Sequence, residues 1–463
     1  MDAVFMMAEQ LSNPLHIAAL LIMTPPEDAG PRFVDDLHRS SLAAVGKLDP
    51  RLRRRPHQGL DTGGTWVWRD VDHLDANQQM LRRTLPPDSG QEELWRLISE
   101  VHAAPLDRSR PMWESYLIDG FDDNRFALYV KVHHSVMDGL AGFRLIEKSL
   151  SSDPDRRSMP PLFTELPTEP IAHTAAGSGL FPNPISLARS GLGVAAATVT
   201  FLRRLVEGEV SNLVEGLTGD ATLPFGAPYT RFNGPLGRDR AVAAVSMSKA
   251  RLRAVQNAAG ATGNDVTTAL AAGVLRYWLT AHDELPSQSL VAICPITLRA
   301  RESGSEDGHA NAFGAVMCPL GTDLTEPAER LALIHKAMTE AKRHVATWGS
   351  GPSLLVAAPN IAPTVLLPQV PFTPKVRPGF NLPISNTPGP RTEMYWNGAH
   401  VDELYPISAI YDGIGLNITL CSYADRVGFG YVAGRDMMPD IETLIPLTER
   451  ALSDLEIAVG VKS

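Results

Sequence analysis

Two adjacent histidines, in the segment KVHHSVMDGLAGF of residues 131–143, are the side chains best suited to do chemistry in this sequence. The even-numbered residues from Phe126 to Val132 are apolar, which predicts a strand with one buried face, and His134 continues that face. A histidine at the end of such a strand can accept a proton from a bound hydroxyl or amine. These residues alone leave two readings open for His134, a general base or a buried structural histidine.

His133 points to the opposite face if the strand reaches it, because successive side chains alternate along a strand. Two imidazoles that diverge cannot bind one metal ion, and the sequence has no HExxH spacing, so we predict no metal site. Asp138 and Gly139 stand where the next helix begins, and aspartate is a common N-cap residue. Helix capping is therefore the simplest interpretation of Asp138.

Motifs for other kinds of catalysis are missing from the sequence. It contains no GxSxG nucleophile elbow, no phosphate-binding P-loop and no dinucleotide fingerprint that opens a helix after a strand. A histidine that acts as a general base is therefore the leading hypothesis.

The composition describes an ordinary globular protein and excludes some partners. The 463 residues are 44% hydrophobic and 20% charged, and this length allows two or three domains. A net charge of −10 argues against nucleic acid as the main partner. Cys294, Cys318 and Cys421 lie in apolar runs without CxxC spacing, so we expect buried, reduced thiols and a cytoplasmic location.

Two apolar segments raise the question of membrane contact. Residues 345–374 carry no charge but contain six prolines, and an irregular backbone cannot face lipid. We expect this segment to form a buried wall, a tunnel lining or a surface that rests against a membrane. The apolar centre of residues 183–208 is too short to span a bilayer, and the N-terminus does not resemble a signal peptide.

Alternating helical and strand-like patterns predict an α/β (α+β) protein with two lobes. Residues 1–150 form the first lobe and carry the two histidines. Residues 151–239 are a linker rich in Pro, Ser and Gly with one helical segment, and residues 240–463 form the second lobe. Within the first lobe, a helix is expected over 89–104 with Ser89 as its N-cap.

The segment HHSVMDG resembles the HHxxxDG motif of an acyltransferase superfamily that includes chloramphenicol acetyltransferase. Further segments narrow the resemblance to the bacterial wax ester synthase/diacylglycerol acyltransferase family. They are similar to that family's motifs and occur in its order: PLDRSRPMWE (105–114), GNDVTTALAAGVLRYWL (263–279), PITLR (295–299), NTPGP (386–390) and YDGIGLNITLCSY (411–423). Because they extend over most of the chain, the set is specific.

The resemblance implies two chloramphenicol-acetyltransferase-like lobes with an active-site channel at their interface. It implies an O-acyltransferase with acyl-CoA as a substrate and no cofactor, and with diacylglycerol, a long-chain alcohol or both as acceptor. His134 is then the general base and His133 a supporting residue. Asp138 is expected to give structural support by pairing with Arg299.

The same resemblance implies further substrate-binding positions, which are Gly139, Pro105, Trp113, Asn264 and Asp265. A cap is the simpler interpretation of Asn264 and Asp265, since GND directly before a helical pattern is a common capping signal. Pro105 and Trp113 are expected to fix a loop and line a pocket. Two other classes stay open, a catalytically weak lipid-binding relative and a carrier-protein-dependent condensation enzyme. Peripheral contact with the inner face of the membrane or with a lipid droplet is also left open.

Overall fold

The computed structural model describes Met6, Glu9 and residues 14–121, 124–164, 226–298, 312–348 and 377–461. The strands are β1 (His16–Thr24), β2 (Arg54–His57), β3 (Val67–Asp70), β4 (Met80–Ser89), β5 (Trp113–Phe121), β6 (Arg125–His133), β7 (Arg240–Ser248), β8 (Val291–Leu298), β9 (Ala312–Pro319), β10 (Leu382–Pro388), β11 (Tyr395–Trp396), β12 (Ala399–Ile407), β13 (Leu416–Tyr423) and β14 (Arg426–Gly434). The helices are α1 (Phe33–Ala43), α2 (Ala76–Gln79), α3 (Gln91–Ala103), α4 (Gly139–Ser149), α5 (Lys249–Ala259), α6 (Gly263–Ala281), α7 (Pro327–Trp348) and α8 (Leu444–Ala458). This mixed α/β architecture with two sheet-rich lobes is the one that the sequence predicts.

The first sheet has the strand order β11-β12-β1-β6-β5-β4 and contains the strand that ends at the paired histidines. β6 runs antiparallel to both of its neighbours, and His133 lies opposite His16 of β1. β4 and β5 run parallel, because α3 connects them as a crossover. β2 and β3 form a separate two-stranded ribbon.

The two faces of β6 enter different parts of the core, as the alternation of its sequence predicts. The even-numbered face packs with Phe143 and Ile146 of α4, and its residues are Phe126, Leu128, Val130 and Val132. Ala127 and Tyr129 on the odd-numbered face pack with α3. The end of β6 is therefore held from both sides.

The second sheet has the order β7-β14-β13-β10-β8-β9, and β10 runs parallel to both β8 and β13. Helix α6 is buried along most of its length and packs against α7 and α8. A glycine permits the close contact with α8, since a Cβ at Gly273 would come within 3.2 Å of the Cβ of Ala451.

The two lobes are joined by packing and by an exchange of strands. Helix α3 of the first lobe contacts β7 of the second, and the backbone N–H of Val242 donates to Ser99 Oγ at 2.9 Å. β11 and β12 pair into the first sheet beside β1, although they follow most of the second lobe in the chain. The division into residues 1–150, 151–239 and 240–463 stays a prediction, and residues 395–407 must be added to the first sheet.

One sequence prediction about this framework is wrong, and two others concern segments outside the described residues. Ser89 was expected to cap α3, but it ends β4, and the helix begins after Gly90, whose N–H donates to the Glu93 carboxylate at 2.9 Å. A side chain at the third helical position thus does the capping. The predicted helical segment within 183–218 and nearly all of the proline-rich run 345–374 fall outside the described residues.

Cys294, Cys318 and Cys421 are buried free thiols, as predicted. No helix in the described part of the chain is long and apolar enough to cross a membrane. Within the same residues, no group of three or more His, Cys, Asp or Glu side chains could hold a metal ion.

Candidate active site

The two histidines at the end of β6 have different environments. His133 is the last residue of the strand and is completely buried, and its backbone N–H donates to Met112 O at 2.9 Å. His134 lies in the turn that follows and is half-buried, with its backbone N–H bonded to Leu15 O at 3.0 Å. The structure therefore leaves only His134 of the pair within reach of a substrate.

The hydrogen bonds of His133 define its tautomer. Its Nδ1 accepts from the backbone N–H of Ser135 at 3.1 Å, and the Ser135 hydroxyl lies 2.6 Å from the same nitrogen. A backbone N–H can only donate, so Nδ1 carries no proton and the neutral ring carries one on Nε2. Burial, as the largest cause, lowers the pKa of His133 to about 4. His133 is therefore neutral at physiological pH, and its supporting role stays a prediction.

A carboxylate from the N-terminal segment lies beside His133. Glu9 Oε1 is 3.6 Å from His133 Nε2 and also accepts the backbone N–H of Leu15 at 3.2 Å. Glu9 Oε2 accepts from Arg108 at 2.6 Å, and the Arg108 guanidinium lies 5.5 Å from the ring centre of Trp66. Neither Glu9 nor Arg108 is predicted from the sequence as a site residue, although Arg108 lies inside the PLDRSRPMWE segment.

Asp138 caps the helix that follows the motif. Its Oδ1 accepts the backbone N–H of Ala141 at 2.7 Å, and Gly139 is the first residue of α4. This bond fixes the turn between His134 and the helix. The expected pairing of Asp138 with Arg299 stays a prediction, because Arg299 lies outside the described residues.

We expect Asp138→Ala to lower the free energy of unfolding by about 1–2 kcal/mol, because it removes an N-cap acceptor. Asp138→Asn keeps the acceptor and loses only the charge, so it should recover most of that stability. Urea unfolding of both variants measures the difference. Equal losses of unfolding free energy in the two variants would contradict a capping role. A loss of about 3–5 kcal/mol in Asp138→Asn would instead indicate that Asp138 belongs to a buried ion pair.

A narrow cavity of about 40 Å³ lies under α4, next to the histidine turn. Every residue of its wall is apolar or glycine, and Val132, Met137 and Gly139 of that wall flank His134 in the chain. Trp113 also lines it and donates its indole N–H to Leu52 O at 2.8 Å. Pro105 is exposed just after α3 and is not part of the wall. A cavity of this kind suits an aliphatic chain.

The second lobe brings two of its motifs together. Asn264 and Asp265 lie in the first turn of α6, but the N-cap is Thr262, whose hydroxyl accepts the N–H of Asp265 at 3.3 Å. Asp265 is the third helical residue, and its carboxylate in turn accepts the backbone N–H of Thr262, which completes a capping box. The helix therefore begins earlier than predicted. Asn386 of the NTPGP segment reaches Asn264 Oδ1 at 3.5 Å. Its strand β10 contacts α4, which connects this pair to the first lobe.

Asp265 is almost completely buried, and its partner comes from another helix. His335 Nδ1 of α7 lies 2.7 Å from Asp265 Oδ2. The contact ties α7 to the start of α6. It indicates that Asp265 has a structural role, whereas Asn264 faces the NTPGP strand with an exposed amide contact.

Three buried histidines of the first lobe should make the stability pH-dependent. Burial is the largest cause that lowers the pKa of His16, of His102 to about 3 and of His133 to about 4, all from an ordinary value of 6.5. Between pH 6.5 and about pH 4 these histidines bind more protons in the unfolded chain than in the folded one. The stabilisation is therefore complete above pH 6.5 and falls with acidification, by about 1.4 kcal/mol per pH unit for each histidine.

Urea unfolding between pH 7 and pH 4.5 tests this expectation, with His133→Asn as the matched control. The Asn carbonyl can accept the Ser135 N–H in place of Nδ1. The variant should lose stability less steeply with acidification than the wild type. Identical slopes would show that His133 does not contribute.

Comparisons with known proteins agree with this geometry. Residues 1–267 match the wax ester synthase/diacylglycerol acyltransferase catalytic domain, and residues 309–456 match the C-terminal domain of the same family. A Mycobacterium tuberculosis protein named probable diacylglycerol O-acyltransferase is 35% identical over 460 residues, which cover 99% of this chain and 98% of the relative.

Solved structures give the same picture. The wax ester synthase/diacylglycerol acyltransferase from Marinobacter aquaeolei is 30% identical and superimposes with a TM-score of 0.77, covering 99% of this chain and 98% of that one. The first condensation domain of the CDA synthetase is 17% identical with a TM-score of 0.51, covering 99% of this chain and 95% of that one. At that identity the second likeness extends to the fold alone.

Proposed function

Because this chain belongs to the wax ester synthase/diacylglycerol acyltransferase family and is an acyltransferase, we propose that it transfers a long-chain acyl group from acyl-CoA to the free hydroxyl of diacylglycerol. The products are triacylglycerol and free CoA. A long-chain alcohol is the second acceptor in this proposal, and no cofactor takes part. The observation that carries the proposal is the half-buried His134, whose neighbours in the chain, Val132, Met137 and Gly139, line an apolar cavity.

In the proposed mechanism His134 accepts the proton of the acceptor hydroxyl as its oxygen attacks the thioester carbonyl. The tetrahedral intermediate collapses with cleavage of the carbon–sulfur bond, and the imidazolium returns its proton to the leaving CoA thiolate. One residue therefore serves both steps and ends in its starting state. General acid–base catalysis of this kind contributes about 10²–10⁴ in rate, which corresponds to roughly 3–5 kcal/mol of barrier.

The surrounding residues support this division of roles. His133 is neutral and buried, so it adds no positive charge that would oppose formation of an imidazolium at His134. Asp138 fixes the turn, and the apolar cavity beneath α4 offers space for part of an acyl chain. Trp113 and Gly139 contribute to its wall.

Two features of the relatives guide the choice of acceptor. The mycobacterial relative is named for diacylglycerol, whereas the Marinobacter protein is named for wax esters as well. At 35% and 30% identity over nearly the whole chain, the first is slightly nearer, so diacylglycerol is the acceptor that we propose first. Since these substrates are lipids, peripheral contact with a membrane or lipid droplet on the cytoplasmic side is part of the proposal.

An acyl-transfer assay with purified protein tests the proposed reaction. Palmitoyl-CoA is supplied with dipalmitoylglycerol or with hexadecanol, and ester and free thiol are measured together. We expect triacylglycerol and CoA in equal amounts, and slower formation of wax ester from hexadecanol. Release of CoA without ester would indicate a thioesterase, and neither product with bound lipid would favour the lipid-binding reading.

A further inference from the structure

An open groove of about 680 Å³ lies on the surface where the second lobe returns to the first sheet. Charged and polar side chains from four parts of the chain line it, among them Ser152, Lys249, Arg253, Arg391, Glu393 and Asp425. Lys249 is the first residue of α5, so the positive end of that helix dipole also lies at the groove. Nothing in the mechanism above uses this surface.

The groove carries positive charge that has no partner in the described parts of the chain. Arg253 and Arg391 are exposed, and neither guanidinium has a hydrogen bond or ion pair within those parts. Lys249 Nζ donates to Ala424 O at 2.6 Å, and its pKa is lowered by partial burial and then by the nearby Arg253. Crowded cations of this kind are stabilised by a bound anion.

The two carboxylates of the groove only partly offset this charge. Glu393 is engaged elsewhere, since its Oε2 accepts from the Tyr395 hydroxyl at 3.4 Å and lies 3.7 Å from His400 Nε2. Asp425 acts on Lys249 and raises its pKa, while burial and Arg253 lower it more. The guanidinium groups of Arg253 and Arg391 are left to bind a ligand.

The position of the groove relates it to the catalytic motif. Ser152 follows α4, whose opposite end begins at Gly139, the last residue of the HHSVMDG motif, and a helix of 11 residues spans about 16 Å. Arg391 directly follows the NTPGP segment, whose Asn386 reaches Asn264. One helix length therefore separates the groove from the motif, which is the scale of an extended pantetheine arm.

We propose that this groove binds the phosphates of the nucleotide part of acyl-CoA, while the pantetheine arm extends along α4 toward His134. The inference rests on the proposed function and adds a binding site for the donor to it. Guanidinium groups bind phosphate through charge-assisted, bidentate hydrogen bonds, which are among the strong ones in proteins. The groove then selects for the nucleotide, not for the acyl chain.

The test compares two donors that differ only in the nucleotide, palmitoyl-CoA and S-palmitoyl-pantetheine, with dipalmitoylglycerol as acceptor. The variant combines Arg253→Gln with Arg391→Gln and leaves Lys249 in place, because Lys249 holds the Ala424 carbonyl. The matched control combines Arg39→Gln with Arg96→Gln, two exposed arginines of the first lobe, and changes the net charge equally.

We expect the groove variant to raise KM for palmitoyl-CoA about tenfold or more, with kcat and the KM for S-palmitoyl-pantetheine close to those of the wild type. The control should leave all of these constants unchanged. An unchanged KM for palmitoyl-CoA, or an equal rise for both donors, would overturn the proposal. So would loss of binding to phosphatidylglycerol vesicles with an unchanged KM, because the groove would then bind lipid headgroups.

A binding measurement separates this inference from the proposed reaction. Titration calorimetry with free CoA requires no turnover, and we expect the groove variant to bind CoA about tenfold more weakly than the control variant does. Equal affinities would overturn the assignment even in an active enzyme. If the groove variant binds CoA more weakly but the wild-type protein forms no ester, the groove is a CoA site and the proposed reaction is wrong.

Discussion

Replacement of His134 by alanine is expected to lower kcat/KM for acyl transfer by about 10²–10⁴, the usual contribution of a general base. The loss should appear mainly in kcat, since the imidazole acts on a proton that moves only during the reaction. KM for palmitoyl-CoA should change little, because the cavity wall and the groove are left intact. Initial rates with dipalmitoylglycerol as acceptor measure both constants.

The fold should tolerate this change. His134 is half-buried, and its backbone N–H, which the substitution leaves in place, makes the bond to Leu15. Circular dichroism and the melting temperature are the controls, and both should stay close to those of the wild type. A variant that retained more than about a tenth of the wild-type turnover would contradict a general-base role.

Lys131→Met is expected to reduce the free energy of unfolding by about 3–5 kcal/mol, because it removes one partner of a buried ion pair. The Lys131 side chain is completely buried, and its Nζ donates to Val101 O at 3.0 Å and to Ala104 O at 2.9 Å. These carbonyls belong to the last turn of α3 and its C-cap. The third contact of Nζ is Glu114 Oε2 at 3.2 Å.

Methionine fills nearly the same volume as lysine but donates no hydrogen bond. The variant therefore leaves two carbonyls and one largely buried carboxylate without their cation. Removing one partner of a buried ion pair in this way destabilises a protein strongly, because the remaining charge stays buried and unpaired. Adding Glu114→Gln removes the unpaired charge and should restore part of the stability. Chemical denaturation of the single and double variants tests this. A single variant within about 0.5 kcal/mol of the wild type would show that Lys131 is dispensable.

Local features of the catalytic segment could be predicted from the sequence. The alternation of β6, the change to helical spacing after Gly139 and the Asp138 cap all arise from residues that are neighbours in the chain. The capping box of α6 could also have been found, because Thr262 and Asp265 have the required spacing of three residues. The motif order then led to the family, which the comparisons confirm.

Contacts between distant parts of the chain could not be predicted in this way. Glu9 and Arg108 are 99 residues apart, and nothing in their local patterns indicates that they meet beside His133. The same applies to β12, which joins β1 after more than 370 residues of intervening chain. Such pairings depend on tertiary packing, for which a single sequence carries no periodic signal.

Parallel kinetics of His133→Asn and His134→Asn test the roles of the two histidines most directly. An amide cannot take up a proton at neutral pH, but at position 133 its carbonyl can still accept the Ser135 N–H. Measured as triacylglycerol formed from palmitoyl-CoA and dipalmitoylglycerol, His133→Asn should keep about a tenth or more of the wild-type rate. His134→Asn should lose about 10²–10⁴. Equal losses, or a greater loss in His133→Asn, would contradict the assignment of proton transfer to His134.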